Sequence, residues 1–113
     1  MEIPHKVEIK PGVFYYVAFV NKFDDPDQYG ECTSSESGVA SRTILILKDM
    51  TPEEQFDAFA HELLHAIEFE YKLKIPHKLI YSVQAPLAFI LRQNFGIELE
   101  PPIAKKKRRK SSS

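Results

Sequence analysis

Thr51-Pro52-Glu53-Glu54-Gln55-Phe56-Asp57-Ala58-Phe59-Ala60-His61-Glu62-Leu63-Leu64-His65-Ala66-Ile67-Glu68-Phe69-Glu70-Tyr71 is the stretch on which the fold turns. It opens with three agreeing helix-start signals. Thr51 is a good N-cap, Pro52 suits the first helical position, and Glu54 stands where a capping box needs its carboxylate. The pattern predicts a helix from Pro52 to about Tyr71. At ~100° per residue, with His61 as the origin, Phe56, Phe59, Ala60, Leu63, Leu64, Ala66, Ile67 and Tyr71 fall in an arc from about 140° to about 300°. That arc is the expected core face. His61 and His65 lie opposite it, with Glu54, Asp57 and Glu68 nearby.

Upstream, His5 to Ile9 alternates polar and apolar residues before the Pro11-Gly12 turn signal, which predicts a short strand. Val13 to Val20 is dense in aromatic and β-branched residues and predicts a second, mostly buried strand. Asn21 to Gly38 collects aspartates, serines, Pro26, Gly30 and Gly38 and reads as a long irregular loop. Ser41 to Leu47 predicts a third strand. Downstream, Ile75-Pro76 interrupts the pattern, and Lys78 to Gln93 resumes it with Ile80, Val83, Leu87, Ile90 and Leu91. A second helix is expected to pack on the first, with a kink or break beside Ala85 caused by Pro86. The fold class expected is α+β: a small N-terminal sheet of about three strands, then two packed helices.

With 113 residues, 43% of them apolar and 27% charged, the chain supports one globular domain. Its boundaries are expected at 1–104, followed by a disordered basic tail at 105–113. The net charge of -1 hides an asymmetry: Lys105 to Lys110 carry six positive charges, leaving 9 basic against 16 acidic residues before them. The tail reads as a nucleic-acid tether, a localisation signal or a solubilising end, and weak nucleic-acid contact through 105–110 is the most expected beside so acidic a body. Cys32 is the single cysteine, so no internal disulfide can form, and it reads as a small buried hydrophobe with no assigned role. No apolar run approaches ~18 residues, so no membrane span is expected, and a reducing cytoplasm is the expected compartment.

His61-Glu62-Leu63-Leu64-His65 is an H-E-x-x-H in mid-helix. Spacing of four residues brings both imidazoles to one face, where their ring nitrogens can meet one Zn²⁺. Glu62, turned by ~100°, can reach a water held by the ion and take its proton during attack on a carbonyl, which makes it the candidate general base. The chemistry implied is amide hydrolysis of a peptide or protein substrate. With 4 His and 11 Glu in the chain, a chance occurrence has a likelihood of roughly one in a hundred.

A zinc site normally has a third protein ligand. His77 is the candidate by ligand preference. A helix returning antiparallel after Tyr71 would bring Val83 and Gln84, rather than His77, level with His65, unless the first helix ended early. Glu68 shares the histidine face, but its Cα would lie ~10 Å along the axis from that of His61, which suits a supporting carboxylate. Gln84 is a poor zinc ligand. His5, Glu98 and Glu100 remain open as tertiary contacts.

These residues resemble the zincin metallopeptidases, in particular the small SprT-like and ImmA/IrrE-like domains of bacteria and phages. The resemblance runs from Tyr29-Gly30-Glu31 through Ser41-Arg42-Thr43-Ile44-Leu45-Ile46, Thr51-Pro52-Glu53-Glu54 and the H-E-x-x-H helix to the helix after Ile75-Pro76-His77. It implies a small sheet before the motif helix, with an edge strand, either Gly30 to Cys32 or Ser41 to Leu47, lying along the cleft. SprT-like members take a third histidine downstream, a place His77 could fill. ImmA-like members use a glutamate, and none follows Glu70 until Glu98. The competing expectations are a non-catalytic zinc-binding interaction protein and a nucleic-acid-associated adaptor that works through its tail.

Overall fold

The computed structural model describes residues 3–34 and 42–95. The expectations for the basic tail, for Glu98 and Glu100, and for Ser41 lie outside them. Four strands form one sheet: β1 (Lys6–Lys10), β2 (Val13–Val20), β3 (Gly30–Thr33) and β4 (Thr43–Leu47), in the order β1-β2-β4-β3. Two helices follow, α1 (Pro52–Tyr71) and α2 (His77–Ile90), and the chain continues as a π turn over Leu91–Phe95. The α+β class stands, with four strands rather than about three. None of the described helices is long and apolar enough to cross a membrane.

Pro11-Gly12 closes the β1–β2 hairpin, with Gly12 at φ 79, a value that suits a residue without Cβ. Its N–H donates to Glu8 Oε2 at 2.8 Å. β2 pairs in parallel with β4, Val17 opposite Ile44 and Phe19 opposite Ile46. β3 was hidden in the stretch read as loop. It pairs antiparallel with β4, Gly30 opposite Ile46 and Cys32 opposite Ile44, and forms a sheet edge.

The sheet buries one face. Tyr15, Val17, Ile44 and Ile46 point into a core shared with Phe56, Phe59, Ala60 and Ala66 of α1. Alternate residues on β2 emerge on the other side, and Tyr16 is 59% exposed. The expectation that β2 is mostly buried is therefore corrected: both helices follow β4, and α1 covers the inner face alone.

α1 begins as its sequence predicts. Thr51 Oγ1 accepts from the Glu54 N–H at 3.1 Å, and the Thr51 N–H donates to Glu54 Oε1 at 3.0 Å, completing the capping box. Its C-cap, Lys72, adopts the left-handed conformation and reverses the chain. α2 then packs along α1, burying Ile80 and Ala88. The break expected beside Ala85 does not occur, because α2 continues through Pro86. Pro86 and Ser82 both lie on the exposed side, where water can satisfy the Ser82 carbonyl left without its helical donor.

Candidate metal centre

His61 and His65 stand one turn apart in the middle of α1, and His77 is the first residue of α2. His65 Nε2 lies 3.2 Å from His61 Nε2 and 3.1 Å from His77 Nε2. Among the described residues these three form the group close enough to hold a metal ion, their ligand atoms all within 4.8 Å of one another. Two nitrogens bound at about 2.05 Å to one tetrahedral ion are roughly 3.3 Å apart, so two of the three edges already have the length such a site needs.

The far sides of the rings reinforce this fit. His61 Nδ1 is 2.7 Å from Gln84 Oε1, and His65 Nδ1 is 2.7 Å from Glu68 Oε1. Both partners are acceptors, so both Nδ1 atoms carry the proton and donate. In the neutral rings, each Nε2 then presents a bare lone pair to the other, an arrangement that a cation between them relieves. Burial lowers the pKa of His61, which favours the neutral ring a metal requires.

His77 arrives by a route the helix-length argument did not include. After Lys72 reverses direction, residues 73–76 run back beside the last turn of α1 outside any helix. Extended chain covers ~3.3 Å per residue, against ~1.5 Å in a helix, so four residues suffice to return His77 to the level of His65 although α1 runs its full length. Glu68 secures that return. Its Oε2 accepts the Ile75 N–H at 2.7 Å while its Oε1 holds His65. Burial would raise the Glu68 pKa, but the hydrogen bonds from Ile75 and His65 outweigh it and bring it below the usual carboxylate value. Glu68 therefore supports a candidate ligand, and His5, an exposed residue before β1, is not in the group.

Glu62 points from α1 toward the edge strand, not toward solvent. It is 6% exposed and makes no hydrogen bond among the described residues. Burial, and secondarily the charge of Glu31, pushes its pKa up to about 7. A nearby divalent cation would favour its ionised form again. Gly30 of β3 makes room for it: a Cβ there would meet Glu62 Oε2 at 2.8 Å. Cys32 also faces α1, half-buried, with its thiol pKa pushed up by burial and then by Glu62, as suits an unreactive hydrophobe.

A cavity of about 410 Å³ opens beside His61 and Glu62, between α1, the segment entering β3, and α2. Tyr81 stands at it with ring centroids 5.2 Å from His61 and 5.4 Å from His77. Sequence reasoning missed Tyr81. Its signal was the i, i+4 spacing from His77, which puts both on one face of α2. Gln84, dismissed as a ligand, was missed as a ligand's hydrogen-bond partner. Comparison with protein-family models, curated proteins and solved structures finds no match for the chain.

Proposed function

We propose that this chain is a zinc-dependent metallopeptidase of the zincin type, hydrolysing peptide bonds with His61, His65 and His77 as metal ligands and Glu62 as general base. The observation that carries the reading is the convergence of three ring nitrogens one residue away from a buried, unpaired carboxylate. An all-imidazole ligand set suits zinc and leaves it most of its positive charge, so the bound ion would acidify a water and polarise a substrate carbonyl.

The remaining work falls to the chain's own groups. Gln84 and Glu68 hold the His61 and His65 rings by their Nδ1–H groups, which keeps each Nε2 turned inward. Glu62 takes the proton from the attacking water at a carboxylate oxygen and returns it to the leaving amine. Its low exposure leaves it little contact with bulk water apart from the cavity it lines. β3 is a sheet edge whose first residue, Gly30, lines the same cavity, and an extended peptide could pair there by displacing the Gln28 side chain that donates to the Gly30 carbonyl at 2.9 Å.

The test is a pair of variants assayed for zinc content and for cleavage of an unfolded protein. Glu62→Gln is expected to bind zinc like the wild type and to lose hydrolysis, because it removes the proton acceptor alone. His61→Ala is expected to lose both. Cleavage by Glu62→Gln at the wild-type rate would overturn the mechanism, and zinc binding without cleavage by the wild type would favour a non-catalytic zinc protein.

A further inference from the structure

The cavity beside His61 is lined by acidic side chains from two elements. Asp27 comes from the segment before β3, Glu54 and Asp57 from the first turns of α1, and no lysine or arginine lines it among the described residues. Arg92, outside the lining, lies 3.8 Å from Glu53 and lowers the pKa of Asp57 without overcoming burial and the charge of Glu53, which raise it. At the inner wall stands the Glu62 carboxylate, more than nine-tenths buried and without a hydrogen-bond partner among the described residues. At the mouth stands the Tyr81 ring, 61% exposed. The carboxylates surround the space instead of meeting at a point. The group close enough to hold an ion is the three histidines and includes none of them. That arrangement does not fit a small bare cation. It fits a long side chain whose apolar stem lies on an aromatic ring and whose charged head is shared among several acceptors.

We infer that this cavity is a subsite for a lysine or arginine side chain of an extended peptide, with the cationic head among Asp27, Glu54 and Asp57 and the stem against Tyr81. The inference rests on the reading of the neighbouring histidines as a peptide-cleaving centre. Its consequence is a preference for basic segments of substrate.

The experiment needs neither metal nor turnover. The full chain, isotopically labelled, is titrated with acetyl-Gly-Arg-Gly-amide, with the glutamine analogue and with spermidine, while backbone amide shifts are followed. The arginine peptide is expected to shift the Gly30, Asp57 and Gln84 signals saturably and to bind about tenfold tighter than the glutamine peptide. The double variant E54Q/D57N should lose that preference and still bind zinc. Both changes are near-isosteric, and glutamine retains the capping-box role of Glu54. Equal binding of the two peptides, no saturable shift, or a preference that survives in the double variant would overturn the proposal. Spermidine binding tighter than the arginine peptide would overturn it in favour of a free polyamine. Zinc titration of the same samples reports separately on the metal centre.

Discussion

A methyl group on Gly30 would stand 2.8 Å from Glu62 Oε2 and 3.1 Å from its Cγ, closer than carbon and carboxylate can approach. Gly30→Ala must therefore displace the Glu62 side chain or part β3 from α1. None of the atoms that a Cβ at Gly30 would meet belongs to the three imidazoles, so zinc affinity is expected to stay within about twofold, while turnover falls at least about tenfold through misplacement of the proposed base. Zinc titration and steady-state cleavage on one preparation check this, and unchanged turnover would show that Glu62 needs no such clearance. At the candidate metal centre, His77→Ala removes one of the three proposed ligands and is expected to weaken zinc binding by orders of magnitude, read by competition with a chromophoric chelator. An unchanged affinity would move the third ligand elsewhere.

Between α1 and α2, the helices supply the ring supports as well as the candidate ligands. Gln84→Ala removes the acceptor of the His61 Nδ1–H, and Glu68→Ala removes both the acceptor of His65 and the anchor of Ile75. Each is expected to weaken zinc affinity by about 10- to 100-fold, with Glu68→Ala the more severe because it also frees the segment that delivers His77. Chelator competition ranks them. Glu68 was legible as a support because its place on the histidine face follows from helix spacing alone. Gln84 was not, since the contact depends on how α2 lies against α1. The same missing packing information made His77 look out of reach: the distance had been counted in helical steps, and the chain covers it in extended ones. In α1 the cap and length were legible from local residue types, whereas the inner face was legible only in part. Tyr71, expected in the core arc, is 48% exposed, and Ala58 and Glu62, outside the arc, are buried because the sheet edge covers that flank. β3 was not legible, because four residues, Gly30-Glu31-Cys32-Thr33, are too few to establish a period of two, and their strand character comes from pairing with β4.

On the scale of the whole molecule, one buried carboxylate joins the sheet to the far end of α1. Glu70 lies near ~180° on the helical wheel, inside the apolar arc, and that misplaced charge was the sequence signal for a buried network. Glu70 Oε2 accepts from the Tyr15 hydroxyl at 2.7 Å and from Arg42 Nε at 2.7 Å, while its main-chain carbonyl accepts from Lys10 Nζ at 2.9 Å. The contacts bring together β1, β2, the residue before β4, and α1. Tyr15→Phe deletes one charge-assisted bond and is expected to cost about 2 kcal/mol, measured by urea unfolding. Glu70→Gln tests the ionic part through pH. The Arg42 hydrogen bond, foremost, holds the Glu70 pKa below its ordinary value of 4.5. A depressed pKa adds stability that is fully present above 4.5 and is lost as pH falls through the folded value. Glu62, with its raised pKa, contributes in the opposite sense, but it is common to both proteins and cancels in their difference. The melting temperature of Glu70→Gln should therefore fall well below that of the wild type at neutral pH, and the gap should close as the pH drops below that ordinary value. A gap that stays constant down to pH ~3 would mean that Glu70 acts through shape and neutral hydrogen bonding alone, with its charge contributing nothing to the joint between helix and sheet.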